Sequence, residues 1–268
     1  LATTIGSEVI SQEALTIPVA MAALFSAIIW NLVTWFFGIP SSSSHALIGG
    51  LVGAVALNSG WEAIHVQGML KIVAALLVSP LAGFLVGTLF MRLVLWLARG
   101  ASPRANQTFK LAQAPTAVLL ALSHGANDAQ KTMGVITLGL VVLGYQETFH
   151  VPLWVIVASA SALALGTAVG GWRIIRTLGV KFFRIRPVHG FTAQLTSGAV
   201  ILTASLIGGP VSTTQVVSSA IMGVGAGQRA SQVRWGVLRE ILTAWALTIP
   251  ATVGLGALLA WLANQTIR

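Results

Sequence analysis

Two long stretches of this chain carry no charged side chain. Residues 14–61 contain no Asp, Glu, Lys or Arg over 48 residues, and residues 187–228 contain none over 42. A helix needs about 20 apolar residues to cross a bilayer, so each stretch is long enough for two crossings. Because lipid offers backbone N–H and C=O groups no hydrogen-bond partner, these crossings must be helical. The chain is therefore predicted to be an all-α integral membrane protein.

Shorter apolar segments add further crossings, which brings the expected total to about eight transmembrane helices. Only 8% of the residues are charged, against about 25% in soluble domains. The absence of cysteine excludes disulfides and thiol chemistry. The additional segments lie at 72–91, 111–145 (expected to be broken at a polar cluster around Asp128), 148–172 and 241–267.

The basic residues, which give a formal net charge of +9, separate the apolar segments. Lys and Arg accumulate in the cytoplasmic loops of membrane proteins, so their clusters are expected on one side of the bilayer. This distribution argues against nucleic-acid binding. The clusters are Arg92, Arg99, Arg104 and Lys110; Arg173, Arg176, Lys181, Arg184 and Arg186; and Arg229, Arg234 and Arg239.

An internal repeat relates two of these regions. Residues 40–53 match residues 210–223 at an offset of 170. The loop after the first copy has no Lys or Arg, whereas the loop after the second has three, so the two copies are predicted to be inverted in the membrane. Inverted repeats with paired broken helices are typical of secondary transporters whose site lies at the midplane.

Each copy carries three consecutive hydroxyl residues after a Gly/Pro break at 38–40 or 208–210. A helix that begins there presents free N–H groups and the positive end of its dipole, which together with hydroxyls suit a tetrahedral oxyanion. The alternative is ordinary N-capping, for which one hydroxyl per helix suffices. The runs are Ser42, Ser43 and Ser44 in the first copy and Ser212, Thr213 and Thr214 in the second.

Asp128 is the only aspartate of the chain and lies in an apolar stretch. A carboxylate at membrane depth marks a functional site by default, because it must be paired or line a wet cavity. Lys131 lies three residues later on the same helical face, while Asn127 and Gln130 complete the polar cluster. A snorkelling Lys131 with an incidental partner is disfavoured by the fifteen uncharged residues that follow it.

The histidines give weaker signals. His124 could orient the Asp128 turn or serve helix packing. His45 follows the first hydroxyl run, but its repeat partner is Gln215, so both are expected to be hydrogen-bonding groups near the site. The others, His65, His150 and His189, lie near span ends and are expected to be solvated. Neither a cofactor nor a metal site is predicted.

Together these motifs resemble the inorganic phosphate transporter (Pit) family in its low-affinity bacterial form. Residues 123–131 resemble its Gly-Ala-Asn-Asp signature, and residues 40–45 and 210–215 resemble its Pro-x-Ser-(Ser/Thr)-(Ser/Thr)-His elements. The resemblance implies secondary transport of inorganic phosphate across the inner (plasma) membrane, coupled to protons or sodium, and no enzymatic activity. It also implies that the Asn-Asp element and the hydroxyl runs form the site, with Lys131, Gln130, His45 and Gln215 in coupling or orienting roles.

Two features depart from the family pattern. An Asn-Asp signature is expected in each half, and the 170-residue offset places the first one upstream of Leu1, so N-terminal truncation is expected. Gln215 also stands where the family usually has His. The chain would then comprise a first repeat over 1–100, a basic cytoplasmic loop over 101–110 and a second, inverted repeat over 111–268.

Lys131 bears on the coupling ion, since sodium-coupled members carry Asn at this position. We expect its ammonium to supply the charge of a bound sodium, which favours proton coupling, with Asp128 as phosphate-facing acceptor or proton carrier. Sulfate transport, an intramembrane hydrolase built on Ser44 and His45, and a channel subunit stay open as alternatives. So do entry of phosphate as a metal complex and assembly as a homodimer.

Overall fold

All regular structure in the described residues, 9–206 and 211–266 of this computed structural model, is helical apart from one antiparallel bridge between Ile10 and Ile64. The prediction of an all-α protein is thus confirmed. Short 3₁₀ turns lie at Gln12–Ala14, Trp61–Ala63 and Ala230–Gln232, and a π-helical turn lies at Thr177–Lys181. The helices are α1 (Ile17–Phe36), α2 (Ser43–Ser59), α3 (Val66–Leu97), α4 (Ala105–Val142), α5 (Leu153–Gly170), α6 (Trp172–Arg176), α7 (Pro187–Leu206), α8 (Thr213–Arg229) and α9 (Trp235–Thr266).

Four of these helices, α1, α3, α5 and α9, are long and apolar enough to cross a membrane. The chain is therefore a multi-pass membrane protein. By contrast, α2 and α8 have only 17 residues each. At about 1.5 Å per residue, such a helix is shorter than the roughly 30 Å hydrocarbon core. The total of about eight crossings stays a prediction.

The expectation of a break at the Asp128 cluster is wrong. Helix α4 is continuous from Ala105 to Val142, and it begins inside the stretch predicted to be a basic loop. The physical reason lies in the partners of the carboxylate. His124 and Lys131 contact it from one turn before and one turn after on the same helix. Because side chains at these spacings share a face, the backbone need not open to satisfy the charge.

The internal repeat is visible in the helix boundaries. Helices α1 and α2 correspond to α7 and α8 residue for residue at the 170-residue offset. Packing between the copies is reciprocal, because α2 lies along α9 and α8 lies along α3. Glycine makes both approaches possible. A Cβ on Gly53 would collide with the backbone of Val253, and a Cβ on Gly223 would collide with that of Phe84.

The long helices α3 and α9 correspond one residue short of this offset. Gly87 packs on Ala220. Gly256, which corresponds to Gly87, packs on Gly50, which corresponds to Ala220. The shift arises in the loops, since the connection before α9 (230–234) is one residue shorter than that before α3 (60–65).

Two apolar clusters occupy opposite ends of the long helices. One joins the C-terminal half of α2 to Ile72, near the start of α3, and to Ala260, near the end of α9. The other joins the C-terminal half of α8 to Met91, near the end of α3, and to Ile241, near the start of α9. Helices α3 and α9 are therefore antiparallel.

Candidate functional site

The break between α1 and α2 is held by the segment that follows α5. Gly38 has a positive φ of 67°, a conformation that glycine adopts without steric penalty. Thr177 donates a 2.7 Å hydrogen bond to the carbonyl of Gly38, and the guanidinium of Arg173 donates to the carbonyl of Phe36. The start of α2 is thereby fixed against the second half of the chain. The corresponding break at 208–210 lies outside the described residues.

One hydroxyl of each run serves as an N-cap. The Ser42 side chain accepts a hydrogen bond from the backbone N–H of His45 at 3.2 Å, and the Ser212 side chain accepts one from that of Gln215 at 3.4 Å. Both serines are buried. Capping therefore accounts for two of the six hydroxyls.

The other hydroxyls have different environments in the two copies. Thr213 is buried and donates to both oxygens of Asp128, at 3.1 and 3.0 Å. Ser43 is exposed and lines a cavity. Ser44 is buried, and its hydroxyl has no partner among the described residues; Thr214 is half-buried. Of the two runs, the second bonds the carboxylate through Thr213 and the first reaches the same cavity through Ser43, so the described hydroxyls do not form one symmetric cradle.

Both carboxylate oxygens of Asp128 have partners among the described residues. His124 Nε2 lies 2.8 Å from Oδ2, and Lys131 Nζ lies 2.9 Å from Oδ1. With Thr213, this makes a network in which α4 supplies two partners and the N-terminus of α8 supplies one. The arrangement agrees with the rule that charges at membrane depth are paired. Of the two roles considered for His124, contact with Asp128 is the one observed.

Lys131 connects the same two helices through its ammonium group. It is buried and donates to Asp128 Oδ1 and, at 3.1 Å, to the backbone carbonyl of Val211. That carbonyl lies just before the cap of α8. Lys131 therefore bonds a carboxylate oxygen and a carbonyl oxygen at the beginning of a helix, rather than snorkelling to the membrane surface.

The remaining predicted residues divide into a central pair and two residues outside the network. Gln215 Nε2 donates to His45 Nδ1 at 3.2 Å. Because these residues are exact repeat counterparts, their contact lies where the two copies meet. Asn127 is buried and donates to Ser205 at 3.0 Å, while Gln130 is exposed. Neither makes a hydrogen bond to the carboxylate in the part of the chain that the structure describes.

A cavity of about 480 Å³ opens beside this network, between α1, α2 and α4. Its wall is largely apolar, formed by side chains such as Leu24, Leu47 and Val135. The polar groups on its lining are Thr16, Asn31, Ser43, Asp128, Lys131 and Thr132. Such a chamber, apolar with a few polar groups, is the usual form of a small-molecule site.

Sequence reasoning did not identify Asn31, Thr132 or Ser205. Thr132 adjoins Lys131, and its position next to the cluster was an available signal. Asn31 lies in an uncharged stretch, where a lone amide indicates little without a partner. Ser205 is the counterpart of Trp35 in the first copy, so the repeat gives no indication of its contact with Asn127.

Comparison with known proteins gives consistent matches. A family model described as "Phosphate transporter family" matches residues 1–102 and 96–256. A "Probable low-affinity inorganic phosphate transporter" from Rhizobium meliloti is 46% identical over 96% of this chain and 78% of its own length. One of the same name from Bacillus subtilis is 43% identical over 92% of this chain and 75% of its own length.

A solved structure, "The sodium-dependent phosphate transporter", has a similar fold. Its TM-score is 0.85 at 23% sequence identity, over 98% of this chain and 84% of the other. At this identity the likeness concerns the fold alone. The names of the curated relatives describe transporters, in agreement with the prediction that the chain is not an enzyme.

Proposed function

This chain belongs to the phosphate transporter family, and we propose that it moves inorganic phosphate across the membrane by proton symport, with the anion held beside Asp128. The observation that carries the proposal is the carboxylate itself. It is 17% exposed, it is bonded by Lys131 and Thr213, and it lines the 480 Å³ cavity. A partly exposed, paired carboxylate at the wall of a chamber suits a substrate that is itself charged and protonated.

An inverted repeat is the architecture that we infer for this transport. The C-terminal halves of α2 and α8 lie in apolar clusters at opposite ends of the antiparallel helices α3 and α9. This placement supports the prediction that the two copies point in opposite directions. Two helix pairs entering from opposite sides provide a midplane site with alternating access.

The anion would be recognised by donors and by one acceptor. Ser43 and Lys131 can donate to phosphate oxygens from the cavity wall, and the Ser43 hydroxyl makes no hydrogen bond to another described residue. Phosphate at neutral pH still carries a proton, so its O–H group can donate to the Asp128 carboxylate. Sulfate lacks that proton and would only be repelled by the carboxylate. This difference favours phosphate over sulfate.

Proton coupling is the finer part of the proposal, and it rests on Lys131. Its ammonium bonds a carboxylate oxygen and a backbone carbonyl oxygen, which are the oxygen ligands that hard cations take in proteins. A sodium ion at this position would compete with a covalently attached positive charge. We therefore propose that Lys131 replaces the coupling cation and that the proton enters with phosphate or on Asp128.

Uptake of labelled phosphate into liposomes that contain the protein tests whether transport is coupled to protons or to sodium. A proton gradient should drive accumulation without sodium, and a sodium gradient alone should not. Lys131→Asn should abolish the proton-driven accumulation and introduce stimulation by sodium. Lys110→Asn, an exposed position near the start of the same helix, is the matched control and should behave like the unaltered protein.

Each arm of this experiment can fail separately. Accumulation driven by sodium alone in the unaltered protein would refute proton coupling but leave phosphate transport intact. Competition by sulfate at concentrations as low as those of unlabelled phosphate would refute the acceptor role of Asp128. No saturable uptake under either gradient would refute the carrier itself.

A further inference from the structure

A second, smaller cavity of about 150 Å³ lies on the other side of the Asp128 network. Leu120 of α4 lines it, together with residues of α7 and α8. Going along α4, Leu120 is followed one turn later by His124, which bonds Asp128, and then by residues that line the larger cavity. On α8, Thr213 bonds Asp128 and Val217, one turn further, lines the small cavity. The carboxylate network therefore separates the two chambers.

The two cavities are equivalent under the repeat. Of the eleven residues that line the small cavity, seven have counterparts 170 positions earlier that line the large one. Three of these pairs are Leu24 with Gln194, Ala27 with Ser197, and Leu47 with Val217. A chance void between helices would not have this correspondence, so the small cavity is the second copy of the large one.

The equivalent walls differ in polarity. Gln194 and Ser197 stand where the larger cavity has Leu24 and Ala27, and His189 stands at the position of Val19. His189 was expected to be solvated, but it is only 2% exposed. The Ser197 hydroxyl has no hydrogen-bond partner among the described residues. The Nε2 of His189 meets no described partner in hydrogen-bond geometry, while the Gln228 side chain lies close to the imidazole. Buried donors without partners are costly unless water or a ligand satisfies them.

We propose that this cavity is the cytoplasmic half of the transport route. There His189 and Ser197 bind the inorganic oxyanion, directly or through water, after it passes Asp128. The inference rests on the proposed transport function. Arg184 and Arg186 lie just before α7, which places this end on the cytoplasmic side by the positive-inside rule. A volume of 150 Å³ has room for about five waters. In the proposed route this chamber enlarges as the 480 Å³ chamber closes.

The absence of cysteine from the sequence allows a direct accessibility test. Ser197→Cys and its counterpart Ala27→Cys are each treated with a charged, membrane-impermeant methanethiosulfonate during phosphate turnover, from one side of oriented vesicles at a time. Ser197→Cys should react from the cytoplasmic side and Ala27→Cys from the external side, each at least about tenfold faster than from the other side. Ala260→Cys, in a fully buried apolar position, is the unreactive control.

The possible outcomes separate two proposals, namely the cytoplasmic route through the small cavity and the transport of phosphate. Reaction of Ser197→Cys from the external side, or from neither side during turnover, overturns the proposal. Sided reactivity without any phosphate uptake would support the route but refute phosphate as its cargo. Inorganic phosphate should slow the labelling of Ser197→Cys, and unchanged labelling at saturating phosphate would contradict an anion site there.

A second variant tests His189 without disturbing its structural bond. His189 Nδ1 accepts a 2.9 Å hydrogen bond from the backbone N–H of Arg186. In His189→Asn the side-chain oxygen can keep that acceptor while the Nε2 group is lost. Phosphate turnover should fall roughly tenfold, as expected for one lost hydrogen bond to a charged group, with labelling at Ala27→Cys unchanged. Unaltered turnover would remove His189 from the route.

Discussion

Helix pairs α1–α2 and α7–α8 have the same lengths, and the second helix of each begins at a serine N-cap, but the two pairs are packed differently. Helix α4 lies along α7, where Thr116 donates to Gln194 at 2.7 Å and Asn127 donates to Ser205 at 3.0 Å. The equivalent positions on α1 are Leu24 and Trp35. That helix instead exposes large apolar side chains, Met21, Phe25, Ile28 and Leu32.

The difference extends to the hydroxyl runs. Thr213 in the second copy donates to both oxygens of Asp128, whereas Ser43 in the first copy lines a cavity and makes no hydrogen bond within the described part of the chain. The duplicated segments thus make different contacts. The second copy positions the carboxylate, and we infer that the first copy offers its hydroxyl to the anion.

The largest effect is expected from Asp128→Asn, which removes the group that the second copy positions. Buried Lys131 would lose its partner, so the free energy of unfolding should fall by about 3–5 kcal/mol and phosphate uptake should be lost. Thermal unfolding followed by tryptophan fluorescence and liposome uptake measure the two effects. Asp128→Asn with Lys131→Met should recover most of the stability and none of the transport. Full uptake by the single variant would contradict the site.

A direct comparison of the copies pairs Thr213→Val with Ser43→Ala. Thr213→Val removes a donor to a carboxylate and should cost about 1.5–3 kcal/mol of stability. Ser43→Ala should leave stability within about 0.5 kcal/mol and raise KM for phosphate roughly tenfold, as one lost hydrogen bond to an anion predicts. The same unfolding and uptake assays apply to both. If the two phenotypes are exchanged, the assigned roles are reversed.

The smallest effect is expected from Gln215→His, which makes the central pair identical. A histidine there can still donate to Nδ1 of His45, so uptake should change by less than about threefold and stability by less than about 1 kcal/mol. Gln215→Leu is the contrast, because it leaves the buried His45 nitrogen without a donor. Equal effects of the two substitutions would show that the contact has no energetic role.

Much of the fold was predictable from uncharged runs and breaks. The stretch 14–61 became α1 and α2, with the separation at Gly38 and Pro40 where the sequence breaks, and α8 begins directly after Ser212 as expected. These features depend on local chemistry, namely the cost of charge in lipid and the conformational limits of Gly and Pro. Such effects can be read along the chain without knowledge of packing.

The errors arose where side-chain contacts determine the structure, in one case within a helix and in the others between helices. The polar cluster around Asp128 suggested a helix break, but His124 and Lys131 satisfy the carboxylate from the same helix. His189 suggested a solvated span end, but Phe183 and the wall of the small cavity enclose it. The hydroxyls expected to form one cradle serve different purposes: Ser212 caps a helix, Thr213 bonds Asp128 and Ser43 lines a cavity. The spacing of His124 and Lys131 from Asp128 was a local signal, whereas the environments of His189 and of the hydroxyls depend on contacts between helices and have none.

In the inverted-repeat carrier that we propose, the contact between His45 and Gln215 has a thermodynamic consequence. Two identical halves would give the outward-open and inward-open conformations equal free energy. A two-fold rotation about an axis in the membrane plane would convert one conformation into the other. Unlike residues at the meeting point remove that degeneracy. A free-energy difference of about 1.4 kcal/mol gives a tenfold ratio of the two populations. We therefore expect the His45–Gln215 pair to contribute to whether the substrate-free protein is mainly outward-open or inward-open.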